Sequence, residues 1–228
     1  LEAEGRPYFV QGITYMPTKV GFHLKDWNWM DADENKNGRN DVAYTIHQLD
    51  PDHTVGVGNM GLNLLDVYAE KAPALDFIGI NEYAGREGFG SLWEAAKAIF
   101  DRPVLITEFG CDAYWTARGP DEQTQAEYVR NNWQDIAFNR AGEPGTGTSI
   151  GGMVFEWLDE WWKDTSVKDH DGIQDKEPTI EMAFPDGWSQ EEWLGLVGQG
   201  DGKSSPFLRQ PRKTYEVFRE LWNAKPER

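Results

Sequence analysis

The chain is poor in cysteine, histidine and basic residues. A single cysteine, Cys111, in 228 residues excludes an intrachain disulfide. With 22 Lys and Arg against 39 Asp and Glu, the net charge is −17, which argues against nucleic acid or an anionic membrane as a partner. No apolar run approaches the ~20 residues that span a bilayer. The histidines show no metal-ligand spacing, and we expect structural roles for them: His23, His47, His53 and His170.

Aromatic residues are abundant, with 11 Trp, 8 Tyr and 11 Phe. Two clusters lie among polar residues, namely Trp27/Trp29 and Trp157/Trp161/Trp162. Flat side chains beside carboxylates and amides suit sugar rings, whose C–H faces stack while their hydroxyl groups form hydrogen bonds. The composition therefore favours carbohydrate as the ligand. The start, Leu1-Glu-Ala-Glu, resembles a mature or trimmed end, and we expect a secreted or periplasmic protein.

Strand and helix patterns alternate along the chain. Apolar runs predict strands at residues 8–15, 54–58, 76–83, 104–108 and 151–157. Periodicity predicts helices around residues 42–49, 64–72, 91–100 and 129–137, and a terminal helix with Tyr215, Phe218 and Trp222 on one face. Ser91 and Glu94 predict a capping box. The alternation predicts one α/β domain over residues 1–228, a shortened (β/α) barrel with a parallel sheet of about five strands, whereas a closed barrel needs eight.

Polar side chains collect where three of these strands end. The segments are Asn81-Glu82-Tyr83, Thr107-Glu108 and Glu156-Trp157-Leu158-Asp159-Glu160. Neighbouring strands lie ~5 Å apart, and α/β barrels keep their chemistry at the carboxyl ends of the strands. We therefore expect these groups to converge on one site. The alternative for Glu108 is an acidic residue that faces water at a strand end.

Together these strand ends resemble the second half of a clan A glycoside hydrolase barrel of the family 2 type. Asn81-Glu82-Tyr83 resembles the sixth-strand motif, Thr107-Glu-Phe-Gly110 the nucleophile-bearing seventh strand, and Phe155-Glu-Trp157 with Asp159 to Lys163 the eighth. Phe9 to Tyr15 resembles the first strand, and His47 to His53 the approach to the fifth. The resemblance covers residues 1–20 and about 45–225.

The resemblance implies a retaining β-glycosidase that acts on β-glucosides, β-galactosides or β-uronides without a cofactor. It makes Glu108 the nucleophile, Tyr83 the residue that orients it, and Trp157 the floor of the sugar subsite. Lys163 leaves a uronic acid substrate open. The candidate substrate-binding residues are Asn81, Trp115, Glu156, Trp157, Glu160 and Lys163.

The chain departs from the family because the second, third and fourth strands are missing. The acid/base glutamate of the fourth strand is missing with them, and Glu34 is the only Glu between Met16 and Thr54. Glu82 is the first candidate for the acid, since repulsion from an ionised Glu108 would hold it protonated, although strand alternation can turn it outward. Glu156 and Glu160 come next, with a hydrogen bond to a substrate hydroxyl as the alternative role.

A second copy could supply what one chain lacks. Exposed sheet edges invite pairing, and we expect a homodimer that covers them and in which the partner could contribute groups to the site. If no acid is present, the protein is a carbohydrate-binding pseudoenzyme.

Residues 31–41 resemble a calcium loop, with oxygen ligands at alternate positions and Gly38 at the turn. Tyr44 stands at the twelfth position, where an EF-hand has a bidentate acid. A structural Ca²⁺ is one prediction, a solvated polar turn the other. If calcium binds, a calcium-dependent interaction module becomes a third functional class. The candidate ligands are Asp31, Asp33, Asn35, Asn37 and Asp41.

Overall fold

The computed structural model describes residues 2–3, 6–7, 38–161, 163, 174–201 and 208–223. The predicted first strand, residues 8–15, lies outside this part, as do four of the candidate calcium ligands: Asp31, Asp33, Asn35 and Asn37. Asp41 falls in the first helix, but its side chain lies outside the description.

The described residues alternate between strands and helices. The helices are α1 (Gly38–Leu49), α2 (Leu65–Lys71), α3 (Leu92–Ile99), α4 (Glu122–Phe138) and α5 (Lys213–Asn223). The longer strands are β3 (Gly56–Met60), β4 (Phe77–Asn81), β5 (Val104–Phe109) and β8 (Ser149–Val154). Eight two-residue strands complete the set: β1 (Glu2–Ala3), β2 (Arg6–Pro7), β6 (Tyr114–Trp115), β7 (Gly119–Pro120), β9 (Ile180–Glu181), β10 (Trp188–Ser189), β11 (Val197–Gly198) and β12 (Gln210–Pro211).

The four longer strands form a parallel sheet in the order β3-β4-β5-β8. The short strands pair antiparallel as β1 with β2, β6 with β7, β9 with β10 and β11 with β12. Val104, Leu105 and Ile106 are buried, as expected for a strand covered on both faces. The fold is therefore α/β, and it is compatible with part of an α/β barrel.

Most predicted elements are confirmed, with shifts at their ends. Strand β3 lies two residues later than predicted, and β8 begins at Ser149 and ends at Val154, before the Phe155-Glu156 pair. The predicted capping box is wrong. Ser91 precedes α3, but its φ of −80° and ψ of 6° lie outside the β region that aims a cap hydroxyl at the helix, and its side chain makes no cap hydrogen bond.

Two compact units are distinguished within the chain. The first comprises Leu1–Ile80, Ser91–Leu105 and Asn139–Gly151. Leu65, Tyr68, Ile78 and Trp93 are buried there. The periodic apolar residues of α1 are largely exposed in this unit: Val42, Ile46 and Leu49.

The second unit comprises Asn81–Gly90, Ile106–Phe138 and Gly152–Arg228, and it contains the polar strand ends predicted to form the site. Its core is aromatic: Phe109 stacks on Trp133 with ring centroids 6.3 Å apart and contacts Phe218 at 6.4 Å. Phe109 is fully buried directly after Glu108. The core therefore fixes the backbone that carries the candidate nucleophile. Within the described part, no helix is long and apolar enough to cross a membrane.

Candidate active site

Glu108 lies near the end of β5 beside Tyr83. The Tyr83 hydroxyl donates to Glu108 Oε2 at 3.0 Å, and the Glu82 backbone N–H donates to the Glu108 carbonyl at 3.0 Å. Burial, followed by the charges of Glu108, Glu191 and Glu156, raises the pKa of Tyr83. The phenol therefore stays protonated and serves as a fixed donor to the carboxylate.

A second hydrogen bond joins the same two strand ends. The Thr107 hydroxyl donates to Asn81 Oδ1 at 2.6 Å. The structure thus pairs Tyr83 with Glu108 and Asn81 with Thr107, so the ends of β4 and β5 lie together, as the sequence predicted for neighbouring strands.

Glycine follows Glu108 and Phe109 because the chain beyond β8 passes very close. A Cβ on Gly110 would lie 2.5 Å from the Phe155 carbonyl oxygen, and its φ is +153°. The Phe155 N–H donates to the Phe109 carbonyl at 2.8 Å, and the Phe155-Glu156 peptide bond is cis. The segment after β8 therefore lies directly against the segment after Glu108.

A carboxyl cluster occupies the segment after β8. The Glu156 and Glu160 carboxyl groups are close enough for Glu160 to act on the pKa of Glu156. The Lys163 ammonium lies 3.0 Å from Glu160 Oε2 and 4.0 Å from Glu191 Oε2, and it sits over the Phe155 ring at 4.1 Å. Burial raises the pKa of Glu156 to about 8, with Lys163 lowering it and Glu160 raising it.

A buried ion pair anchors this segment. The Arg212 guanidinium donates to both carboxylate oxygens of Asp159 at 2.6 and 2.5 Å, with side chains 6% and 0% exposed. The Gly195 N–H and the Gln174 amide also donate to Asp159, at 2.9 and 2.8 Å. Burial raises the pKa of Asp159, whereas these donors lower it. Four donors satisfy this carboxylate, so its role is to hold the chain.

Glu82 has a different environment from Glu108. Burial raises the pKa of Glu82. Burial also raises the pKa of Tyr128, to which the Glu82 charge contributes. The carboxyl of Glu82 therefore lies within electrostatic reach of Tyr128, whereas the phenol of Tyr83 contacts Glu108.

The two candidate sugar-stacking tryptophans differ in access. Trp157 is 58% exposed, and its ring packs edge-on against Tyr215 with centroids 6.0 Å apart. Trp115 is half-buried, and the Arg118 guanidinium lies 3.6 Å from its ring centroid. A sugar can stack on the open face of Trp157, but at Trp115 it would have to displace Arg118 from that face.

Sequence reasoning missed three residues of this region. Glu191 lies in the irregular span after β8; its charge acts on Tyr83, and its Oε2 lies 4.0 Å from the Lys163 ammonium. The Phe155 ring lies under that ammonium. Arg212 binds Asp159, which is 53 residues earlier in the chain. No periodicity marks Glu191 or Arg212. A signal for Phe155 was available, since it opens the Phe155-Glu-Trp157 motif.

No metal site is found in the part of the chain that the structure describes. Within those residues, no group of three or more His, Cys, Asp and Glu side chains could hold a metal ion. The predicted calcium segment lies outside them, apart from the backbone of Asp41 and its neighbours in α1.

The fold is similar to that of glycoside hydrolases of known structure. The β-glycosidase BGL167 matches with a TM-score of 0.50 and 14% identity over 84% of this chain and 48% of that chain. An exo-β-agarase matches with a TM-score of 0.47, 18% identity, and coverage of 79% and 20%. β-Glucuronidase 2 of Bacteroides uniformis matches with a TM-score of 0.48 and 14% identity over 82% of this chain and 20% of that chain.

The chain therefore spans about half or less of the length of these solved chains. No protein-family model matches the sequence, and no curated protein is significantly similar to it. At such low identity, the similarity supports a glycosidase-like fold and no particular family.

Proposed function

We propose that this chain is a retaining β-glycosidase with Glu108 as its nucleophile. The observation that carries the proposal is the 3.0 Å hydrogen bond from Tyr83 to Glu108 at the end of β5. A single neutral donor orients a carboxylate without neutralising it, and the second oxygen is then available for attack. The glycosidase-like fold supports the same assignment.

The chemistry follows from a carboxylate nucleophile. Glu108 attacks the anomeric carbon while the glycosidic C–O bond breaks, and a glycosyl ester forms on Glu108. A second carboxyl group protonates the leaving oxygen, then takes a proton from the water that cleaves the ester. Two displacements at one carbon retain the configuration.

The sugar would be held by groups around this carboxylate. Asn81, whose Oδ1 accepts from Thr107, would bind a substrate hydroxyl group through its NH₂ group, and Trp157 with Tyr215 offers an exposed aromatic surface. Lys163 already pairs with Glu160, so a uronate carboxylate would have to compete with that pair. β-Glucosides and β-galactosides are therefore favoured over β-uronides. The dimer and the calcium site expected from the sequence stay predictions.

Substitution of Glu108 tests the proposal. Against a panel of aryl β-glycosides, Glu108→Gln is expected to lower turnover by roughly 10³-fold or more, because it removes the group that forms the covalent bond. Azide should rescue Glu108→Ala and give a glycosyl azide of inverted, α configuration.

The matched control is Glu87→Gln, an exposed glutamate in the same unit, which should keep full activity. Activity that survives in Glu108→Gln would refute the assignment.

A carbohydrate-binding pseudoenzyme is the second candidate. The open Trp157 surface favours it, since an aromatic platform binds a sugar without any acid. Calorimetry on the same sugars separates the two candidates: binding that depends on Trp157, with no turnover of any glycoside, indicates the pseudoenzyme.

A further inference from the structure

We infer that Glu156 is the proton donor that works with Glu108, an inference that rests on the proposed role of Glu108 as nucleophile. The residue follows β8, the neighbour of β5 in the sheet. Three observations carry the inference: the position of its segment, the pairing of the neighbouring Glu160 with Lys163, and a buried carboxyl oxygen without a partner among the described residues.

The segment that carries Glu156 lies beside the segment that carries Glu108. The Phe155 N–H binds the Phe109 carbonyl at 2.8 Å, so each glutamate is next in sequence to one of the two joined residues. The charge of Glu156 also acts on the Tyr83 phenol, which binds Glu108 at 3.0 Å. The two carboxyl groups therefore share one electrostatic environment.

The neighbouring charges distinguish Glu156 from Glu160. The Lys163 ammonium pairs with Glu160, 3.0 Å from its Oε2. Burial and the Glu160 carboxylate both act on Glu156 in the direction that raises its pKa, because each disfavours a second negative charge there. Glu156 is therefore the member of this group that holds a proton.

The Oε1 oxygen of Glu156 is available for a hydrogen bond with a substrate or a water molecule. Glu156 Oε1 is buried and has no hydrogen-bond partner among the described residues. A buried polar oxygen without a partner is costly to the fold, and a partner removes that cost. With the proton on Oε1, the acid would donate to the leaving-group oxygen, and after ionisation the same oxygen would accept from the hydrolytic water.

The surrounding charges keep this carboxyl in the range that acid catalysis requires. Glu160, Asp159 and Lys163 act on it from its own segment, and Glu191 approaches Lys163 from the Glu191–Trp193 3-10 turn. Burial outweighs Lys163 and sets the pKa of Glu156 at about 8. Glu156 is therefore protonated at neutral pH, as a general acid must be.

The proton balance of the reaction is complete with these two residues. As Glu108 bonds to the anomeric carbon, the glycosidic bond breaks and the leaving oxygen takes the Glu156 proton. Glu156, now a carboxylate, removes a proton from water while the water oxygen attacks the anomeric carbon. The ester on Glu108 breaks, and both residues return to their starting protonation states.

Glu82 is the competing donor, and the structure distinguishes the two. Burial raises the pKa of Glu82, and a hydrogen bond from the Tyr83 backbone N–H lowers it. Its charge acts on Tyr128, whereas that of Glu156 acts on Tyr83.

One test does not depend on turnover. Titration of ¹³C-labelled glutamate side chains by NMR should show one carboxyl that ionises near pH 8, and Glu156→Gln should remove that signal. A Glu156 carboxyl that is already ionised near pH 6 would overturn the inference, even if Glu108 proves to be the nucleophile.

Kinetics test the catalytic role directly. For Glu156→Gln, kcat/KM on a dinitrophenyl β-glycoside should stay within ~10-fold of the parent, because that leaving group needs no proton, whereas kcat/KM on a disaccharide should fall by ~10²–10⁴-fold. Azide should restore kcat of the variant on the dinitrophenyl substrate and give the β-glycosyl azide.

Two further variants separate the possible failures. If Glu82→Gln gives this leaving-group dependence and Glu156→Gln does not, Glu82 is the donor and the inference is wrong. If Glu108→Gln still turns over the dinitrophenyl substrate, the proposed function fails instead. Glu87→Gln, exposed and in the same unit, controls for the loss of one negative charge.

Discussion

Two carboxyl groups lie three residues apart after β8, and their surroundings are opposite in kind. Asp159 is buried and accepts from four donors: two guanidinium nitrogens of Arg212, the Gly195 backbone N–H and the Gln174 amide. Glu156 is half-buried beside another acid, Glu160, and its Oε1 has no hydrogen-bond partner among the described residues.

The difference indicates separate tasks on one segment. A fully paired buried carboxylate is difficult to remove without leaving its partner charge unpaired, and it holds the chain in place. A buried acid with a missing partner is costly to the fold and available for chemistry. Asp159 thus positions the segment that carries Glu156, the proposed proton donor.

The largest expected effect is on stability, from Asp159→Asn. The substitution keeps the side-chain size but leaves the Arg212 guanidinium buried without its counter-charge. Loss of one partner of a buried pair typically costs ~3–5 kcal/mol. Urea denaturation followed by tryptophan fluorescence should show that loss in the free energy of unfolding.

The matched control breaks an exposed pair, Arg140 with Glu143. Arg140→Gln should change the free energy of unfolding by no more than ~1 kcal/mol. If Asp159→Asn costs as little as this control, Asp159 does not anchor the segment.

The second-largest effect is a pH dependence of stability, which we expect from the buried carboxyl of Asp112. Burial raises its pKa from 3.8 to about 8. The backbone N–H groups of Gln190 and Tyr114, which donate to the carboxylate at 2.8 and 3.2 Å, act in the opposite direction and lower the pKa. Between these pKa values the folded chain holds a proton that the unfolded chain has lost. The free energy of unfolding therefore falls as pH rises through this range, and the contribution of Asp112 to stability is lost above its folded pKa.

The loss attributable to Asp112 should be about 3 kcal/mol between about pH 5.5 and pH 8.5, since each pH unit below the folded pKa is worth ~1.4 kcal/mol. Asp112→Asn should flatten the profile of unfolding free energy by that amount. An equally steep profile in Asp112→Asn would show that other groups set the pH dependence.

The sequence predicted what depends on local pattern. The run Val104-Leu-Ile106 specifies a buried strand, and these residues are buried in β5. Convergence of the strand ends was expected because adjacent parallel strands end at the same edge of the sheet, and the resemblance to glycoside hydrolases named Tyr83 as the residue that orients Glu108.

What the sequence did not predict depends on chain segments far apart. Arg212 and Asp159 are separated by 53 residues, and Glu191 lies in a span without periodicity. The protonation of Glu156 depends on burial and on a neighbouring acid, which composition does not encode. At Ser91, the capping pattern was present, but the backbone conformation of that residue does not support it.

A smaller effect is expected from Lys163→Met. The ammonium lowers the pKa of Glu156 and pairs with Glu160. Its removal should raise the pKa of Glu156 above about 8, visible in the NMR titration, while the free energy of unfolding changes by ~1 kcal/mol or less because the pair is partly exposed.

Lys71→Met, which removes an ammonium from a surface pair with Glu70, is the control and should leave the Glu156 titration unchanged. A Glu156 pKa that falls in Lys163→Met would mean that the lysine acts on Glu156 in some way other than through its charge.

The smallest effect on stability is expected from Glu156→Gln, and it completes the comparison with Asp159→Asn. A glutamine matches the shape of a protonated glutamic acid, and like that acid it is uncharged and has a donor and an acceptor. At neutral pH the free energy of unfolding should therefore change by less than ~1 kcal/mol, in contrast to the ~3–5 kcal/mol of Asp159→Asn. Above pH 8 the variant should become the more stable protein, because the parent must then bury an ionised carboxylate. If Glu156→Gln is as destabilising as Asp159→Asn at neutral pH, Glu156 is an ionised structural partner, and the division of tasks between the two residues is wrong.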